Sequence, residues 1–203
     1  MPSETSGRLS EVDRRLLLEH ARAAVLSRVG EGDGGDDDRD GDGHPPVAPA
    51  LAAPGAAFVT LHVGGALRGC IGTLERRRAL WTVVRDMAAA AATRDPRFPP
   101  IDVADLRDMT VEISVLTPDV VIHRPEEIEI GRHGLDVRRD GARGLLLPQV
   151  AVEHGLDRET FLAATCRKAG LPANAWHDAD TEIRVFEADV FGDHRTADAP
   201  PRD

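Results

Sequence analysis

Phe58-Val59-Thr60-Leu61-His62-Val63-Gly64-Gly65-Ala66-Leu67-Arg68-Gly69-Cys70-Ile71-Gly72-Thr73-Leu74 reads as two strands, Phe58 to Val63 and Ala66 to Leu74, joined by a two-residue turn. Phe58 to Val63 has the composition of a strand bounded by glycine, and a Gly-Gly pair is a two-residue turn of the kind that tight hairpins prefer. With Gly64 and Gly65 as the turn, Val63 is expected opposite Ala66, Leu61 opposite Arg68 and Val59 opposite Cys70. Arg68 and Cys70 then share one face, and Leu67 and Ile71 the other.

Working outward, helical spacing predicts a helix from Glu11 to Val29, opened by Ser10 with Asp13 three residues on. A second helix is predicted over Ala79 to Thr93, with Pro96 beyond its end, and a third over Arg158 to Ala169, with Asp157 as cap and Gly170 past the end. Strands are expected at Thr110 to Leu116, Ile128 to Ile130, Leu135 to Arg138, Gly144 to Leu147 and Thr181 to Phe186. Strands arriving as hairpins between helices predict an α+β protein with a mainly antiparallel sheet rather than a doubly wound parallel one. One compact domain is expected over 9–193, with disordered tails at 1–8 and 194–203.

The stretch 30–54 is rich in Gly, Asp and Pro and is expected to be a mobile loop. Between Glu31 and Asp42 it holds seven acidic residues and one arginine, Arg39. Asp36, Asp38, Asp40 and Gly41 match the opening of a calcium-binding loop, but Val47 stands where its bidentate Glu belongs, so no metal site is expected. The net charge of the 203 residues is −10, which argues against nucleic-acid binding as the main activity. The run Arg76-Arg77-Arg78 is read as a solvated face. No apolar run is long enough to span a membrane, the first residues lack a secretory pattern, and two cysteines make no disulfide framework, so a cytoplasmic location is expected.

Leu67 to Thr73 is the stretch most suggestive of chemistry. Gly69 and Gly72 flank Cys70, and glycine within a strand marks a bulge or a close approach to the backbone. A guanidinium from Arg68 would favour the thiolate, and exposed backbone N–H groups would hold an oxyanion. The alternative is that Cys70 fills a core gap as a small hydrophobe. Cys166, on a stripe with Leu162 and Ala169, is read as packing. His133, at a tight turn after a strand, is the histidine best placed to face a cleft. No zinc-type spacing, Walker loop or dinucleotide fingerprint is present, so neither metal nor cofactor is expected.

These blocks resemble the AMMECR family, whose bacterial and archaeal members are called AmmeMemoRadiSam system protein A. The resemblance runs through Phe58 to Leu61, Leu67 to Thr73, Asp95 to Pro100, Val111 to Leu116, His133 to Leu135, Leu147 to Val150, Phe161-Leu162, Cys166 to Leu171 and Trp176. It implies a barrel-like antiparallel sheet in two related halves, and a cleft in which Gly69, Ile71, Gly72 and Thr73 bind around Cys70. It also implies a modification pathway shared with a Memo-like protein and a radical S-adenosylmethionine enzyme. Two functions follow. In one, Cys70 is a nucleophile with Arg68 as charge partner and His133 or Lys168 as acid-base groups. In the other, the same cleft docks a substrate or the radical enzyme without catalysis.

Overall fold

In the computed structural model, residues 9–30 and 48–193 are described; the acidic segment Glu31 to Asp42 and both tails lie outside the described residues. The described residues form two compact units, one holding 9–30, 48–115 and 189–193, the other Leu116–Ala188.

The first unit begins with α1 (Glu11–Gly30). The Ser10 amide donates to Asp13 Oδ2 at 3.0 Å and the Asp13 amide to Ser10 Oγ at 3.1 Å, so two orphan N–H groups of the first turn are satisfied reciprocally. Residues 48–54, expected in the loop, instead hold a short helix, α2 (Pro49–Ala52). Its Leu51 is fully buried, and that single large apolar side chain anchors a segment whose composition is otherwise loop-like. The hairpin follows as β1 (Ala57–Val63) and β2 (Ala66–Thr73), with φ of +57° at Gly64 and +82° at Gly65. Then come α3 (Leu80–Thr93) and β3 (Met109–Leu116); β8 (Ala188–Gly192) closes the strand order β2-β1-β3-β8. Val59, Leu61, Val111 and Ile113 are fully buried in one core with Leu17, Ala21 and Val25 of α1 and Val83, Val84 and Ala88 of α3. The helices thus cover one face of this sheet, and the alternate residues Thr60, Cys70 and Glu112 belong to the other.

The second unit orders its strands β4-β7-β5-β6, from β4 (Val120–Ile122), β5 (Gly134–Arg139), β6 (Ala142–Leu146) and β7 (Glu182–Phe186). Asp140 and Gly141, with φ of +48° and +82°, make the turn expected between β5 and β6. α4 (Pro148–Glu153) and α5 (Arg158–Lys168) complete the unit, and the Thr160 amide donates to Asp157 Oδ1 at 2.9 Å as the expected N-cap. Phe161 and Leu162 of α5 pack into a core with Ile122, Ile128 and Leu135. Ile128 to Ile130 is not a strand: a 3-10 turn at Pro125–Glu127 precedes it, and Ile128 is buried as a core plug.

The α+β class holds, with β1–β2, β1–β3, β4–β7, β5–β6 and β5–β7 all antiparallel. The barrel-like sheet does not: there are two open four-stranded sheets. A barrel closes only when a sheet's edge strands pair on through further strands, and at Cys70 the outer edge of β2 hydrogen-bonds to the side chains of Asp95 and Arg97 instead. Among the described residues no helix is long and apolar enough to cross a membrane, and no group of three or more His, Cys, Asp or Glu is placed to hold a metal.

Within the first unit, His20 of α1 stacks on Trp81 of α3 with ring centroids 3.6 Å apart. Burial, then the nearby Arg85 charge, lowers its pKa from 6.5 to about 4. The folded chain therefore holds His20 neutral where the unfolded chain binds a proton, so its contribution is intact above pH 6.5 and is lost as pH falls toward 4. Allowing for partial exposure, stability should drop by about 2 kcal/mol across that window. Urea melts at pH 7.5 and 4.5 should show that drop in the wild type and a smaller one in His20→Gln.

Candidate functional site

Cys70 lies on β2, the edge strand of the first sheet, and is half-buried. The hairpin register departs from simple alternation. Val63 pairs with Ala66 as expected, but a bulge between Leu61 and His62 places Gly69, not Arg68, opposite Leu61, and Thr60, not Val59, opposite Cys70. The extra residue is Arg68, so the alternation that put Arg68 and Cys70 on one face no longer applies.

Arg68 pairs elsewhere. Its Nη2 donates to Asp105 Oδ2 at 2.9 Å, an oxygen that also accepts the Asp102 amide at 3.2 Å. The guanidinium beside Cys70 belongs to Arg97. After α3 the chain makes a tight turn in which Asp95 Oδ1 accepts the Arg97 amide at 3.1 Å, the local bond that makes Asx residues turn formers. From there Arg97 Nε donates to Asp95 Oδ1 at 2.9 Å, and Nη2 to Asp95 Oδ2 at 2.7 Å and to the Cys70 carbonyl at 3.2 Å. Asp95 Oδ2 in turn accepts the Cys70 amide at 2.8 Å. Both edge-facing backbone groups of Cys70 are thereby paired, and the Cys70 N–H is not available as an oxyanion donor.

The electrostatics follow. The Asp95 side chain is 2% exposed, and the Arg97 hydrogen bonds hold its carboxyl well below the usual carboxylate range against the opposing effect of burial. Asp95, and more weakly the side chain of Cys70, push the Arg97 pKa further up, so this guanidinium is permanently charged. Arg97 is 57% exposed and lies 5.3 Å from the Phe98 ring centroid. On the sheet face, the Thr60 hydroxyl donates to Cys70 Sγ at 3.3 Å.

The flanking glycines are explained by packing. A Cβ on Gly69 would lie 2.0 Å from the Ala91 carbonyl oxygen, because α3 crosses the strand there; one on Gly72 would lie 2.2 Å from the Phe58 ring. Ile71 packs against the core of the first unit, and Thr73 Oγ1 accepts the Glu75 amide at 3.1 Å. His133 and Lys168 belong to the second unit. His133 Nδ1 accepts the Glu129 amide at 3.1 Å, which closes its own turn and occupies one of its two ring nitrogens; Lys168 is exposed at the end of α5. Cys166 is fully buried among Val137, Ala175, Leu171 and Trp176, and burial pushes its thiol pKa up. An open groove of about 460 Å³ in the second unit, lined by Pro125, Glu126, Ile130, Asp157, Arg158 and Glu159, contains none of the expected site residues.

Thr60, Asp95 and Arg97 are the members that reading by residue type overlooked. Thr60 was visible as the polar position between Val59 and Leu61, and Asp95-Pro96-Arg97 as a turn that follows a helix closely.

Residues 18–191 match the AMMECR1 family model. A protein of Methanothermobacter thermautotrophicus is 48% identical over 140 residues, covering 66% of this chain and 73% of the relative. Protein MK0488 of Methanopyrus kandleri is 47% identical over 155 residues, covering 72% and 75%. The crystal structure of the uncharacterized protein PH0010 from Pyrococcus horikoshii superposes with a TM-score of 0.76 at 39% identity, covering 87% of this chain and 89% of that one.

Proposed function

The chain belongs to the AMMECR1 family, and on that premise we propose that it is a cysteine-centred enzyme, or the cysteine-bearing component of one, in a modification pathway with a Memo-like protein and a radical S-adenosylmethionine enzyme. The observation that carries this reading is the environment of Cys70: a hydroxyl on its sulfur at 3.3 Å and a charged guanidinium clasped to its backbone by a buried carboxylate. Cys70 is the nucleophile. Arg97, rather than Arg68, is the charge partner, held by Asp95 yet 57% exposed, so that its guanidinium can also take an anionic oxygen of the substrate.

The test is alkylation under native conditions. Iodoacetamide should modify Cys70 rapidly and Cys166 only on unfolding, read by mass spectrometry. Arg97→Ala should slow Cys70 modification by roughly tenfold, since it leaves the Asp95 carboxylate uncompensated beside a developing thiolate, whereas Arg68→Ala should change it little. Fast modification of Cys166, or equal effects of the two arginine variants, would overturn the assignment. A Cys70→Ser variant that keeps its partners but loses pathway output supports catalysis. One that loses the partners supports a docking module instead.

A further inference from the structure

The register that displaced Val59 from Cys70 also builds a row. Thr60 on the central strand β1 is opposite Cys70 of β2 on one side and opposite Glu112 of β3 on the other. Because the Cys70 amide points off the sheet edge to Asp95, Thr60 and Cys70 form the narrow, non-hydrogen-bonded kind of antiparallel pair, with Cα atoms about 4.5 Å apart. The Thr60 backbone groups therefore turn toward β3, making Thr60 and Glu112 the wider kind, with Cα atoms about 5.5 Å apart. Side chains directly opposite in such pairs interact across the strands. All three residues are half-buried on the face opposite α1 and α3, while their neighbours Val59, Leu61, Val111 and Ile113 are fully buried on the helix side. A thiol, a hydroxyl and a carboxylate thus stand in line across three strands, with the thiol–hydroxyl contact already formed at 3.3 Å.

We propose that this row is a proton relay: Thr60 passes the Cys70 thiol proton to Glu112 as the sulfur bonds to its electrophile. The proposal rests on Cys70 being a nucleophile. As the S–C bond forms, the electron pair of the S–H bond remains on sulfur and the leaving group departs with its own bonding pair. The Thr60 hydroxyl, which donates to Sγ at rest, first turns its proton toward Glu112. The thiol proton then moves to Thr60 Oγ1 and the original Thr60 hydroxyl proton to Glu112, which becomes a neutral carboxylic acid and later returns its proton to water. Glu112 acts through Thr60 and is a positioning residue for that proton. Among the described residues, the titratable or charged groups beside the row include His62, one position along on the same face of β1 and opposite Thr110, and the Asp95–Arg97 pair at the β2 edge.

The experiment uses the full chain and iodoacetamide, with Cys70 modification followed from pH 5 to 9 in H₂O and in D₂O. Between pH 6 and 7, Glu112→Gln and Thr60→Val should each slow the reaction by about tenfold, and the double variant should be no slower than either. Thr60→Ser, which keeps the hydroxyl, should retain the wild-type rate and shows that the site tolerates substitution. The wild-type rate should fall by about twofold in D₂O and the Glu112→Gln rate should not, because only the relay moves protons in the rate-limiting step. An unchanged or faster Glu112→Gln overturns the relay and leaves Cys70 a nucleophile, with the carboxylate acting only as a repelling charge. A wild-type Cys70 no more reactive than in the unfolded chain overturns both.

Discussion

Gly69→Ala should lower the melting temperature by roughly 10 °C, corresponding to a loss of about 3 kcal/mol for a chain of this size. The added Cβ would lie 2.0 Å from the Ala91 carbonyl oxygen and 2.9 Å from its carbon, and both are backbone atoms of a helix that cannot rotate away as a side chain does. Relief requires α3 to lift from β2, which uncovers Ala91 and the Val83–Val84–Ala88 face of the core. Gly30→Ala is the matched control: a Cβ there meets nothing within 4 Å, and its melting temperature should stay within a degree or two of the wild type. Differential scanning fluorimetry of the two variants decides the matter. A Gly69→Ala melting curve superimposable on the wild type would mean that the contact between helix and strand is looser than described.

Asp95→Ala should cost about 3 kcal/mol and also disturb the thiol. The carboxylate accepts the Cys70 amide, the Arg97 amide and two guanidinium nitrogens, all from a side chain 2% exposed. Its removal leaves the edge of β2 unpaired at Cys70 and frees Arg97 to turn into solvent. The pH dependence has a definite sign. Arg97 holds the folded carboxyl below its unfolded pKa of about 3.9, so the contribution is complete above that value and is lost as pH falls further. Acid denaturation followed by circular dichroism should begin at higher pH in Asp95→Asn than in the wild type. An identical acid transition would show that the pair is silent in stability. Cys70 alkylation in the same variant reports on chemistry separately, because a loosened Arg97 changes the rate even where the fold survives.

Much of the framework was legible in the sequence because it is written in local terms. The capping pair Ser10 and Asp13, the Asp157 cap, the glycine turns at Gly64-Gly65 and Asp140-Gly141 and the periodicity of Leu80 to Ala91 each act over four residues or fewer at a time, so helix and hairpin positions follow from neighbours along the chain. Segments whose burial depends on distant partners were not legible. Leu51 turns a loop-like stretch into α2, Ile128 plugs a core instead of joining a sheet, and the short β4 and the strand β8 exist only because β7 and β3 are there to pair with them.

The same division runs through the site. Composition and glycine placement drew attention to Cys70, and alternation alone assigned its neighbours. A single bulge at Arg68 then moved every residue from Cys70 to Thr73 by one position relative to β1, since a strand's side-chain period is two and one extra residue reverses the pairing. Which arginine reaches Cys70 could not be read from adjacency: Arg68 is two residues away and pairs with Asp105, while Arg97, 27 residues on, returns over α3 to clasp the strand edge. Glu112 entered the row only through the β1–β3 register. Proximity along the chain decides turns and caps because they are closed by short-range backbone bonds. Proximity in space decides the company of a thiol, and that is set by which strands pair and where a helix lets the chain come back.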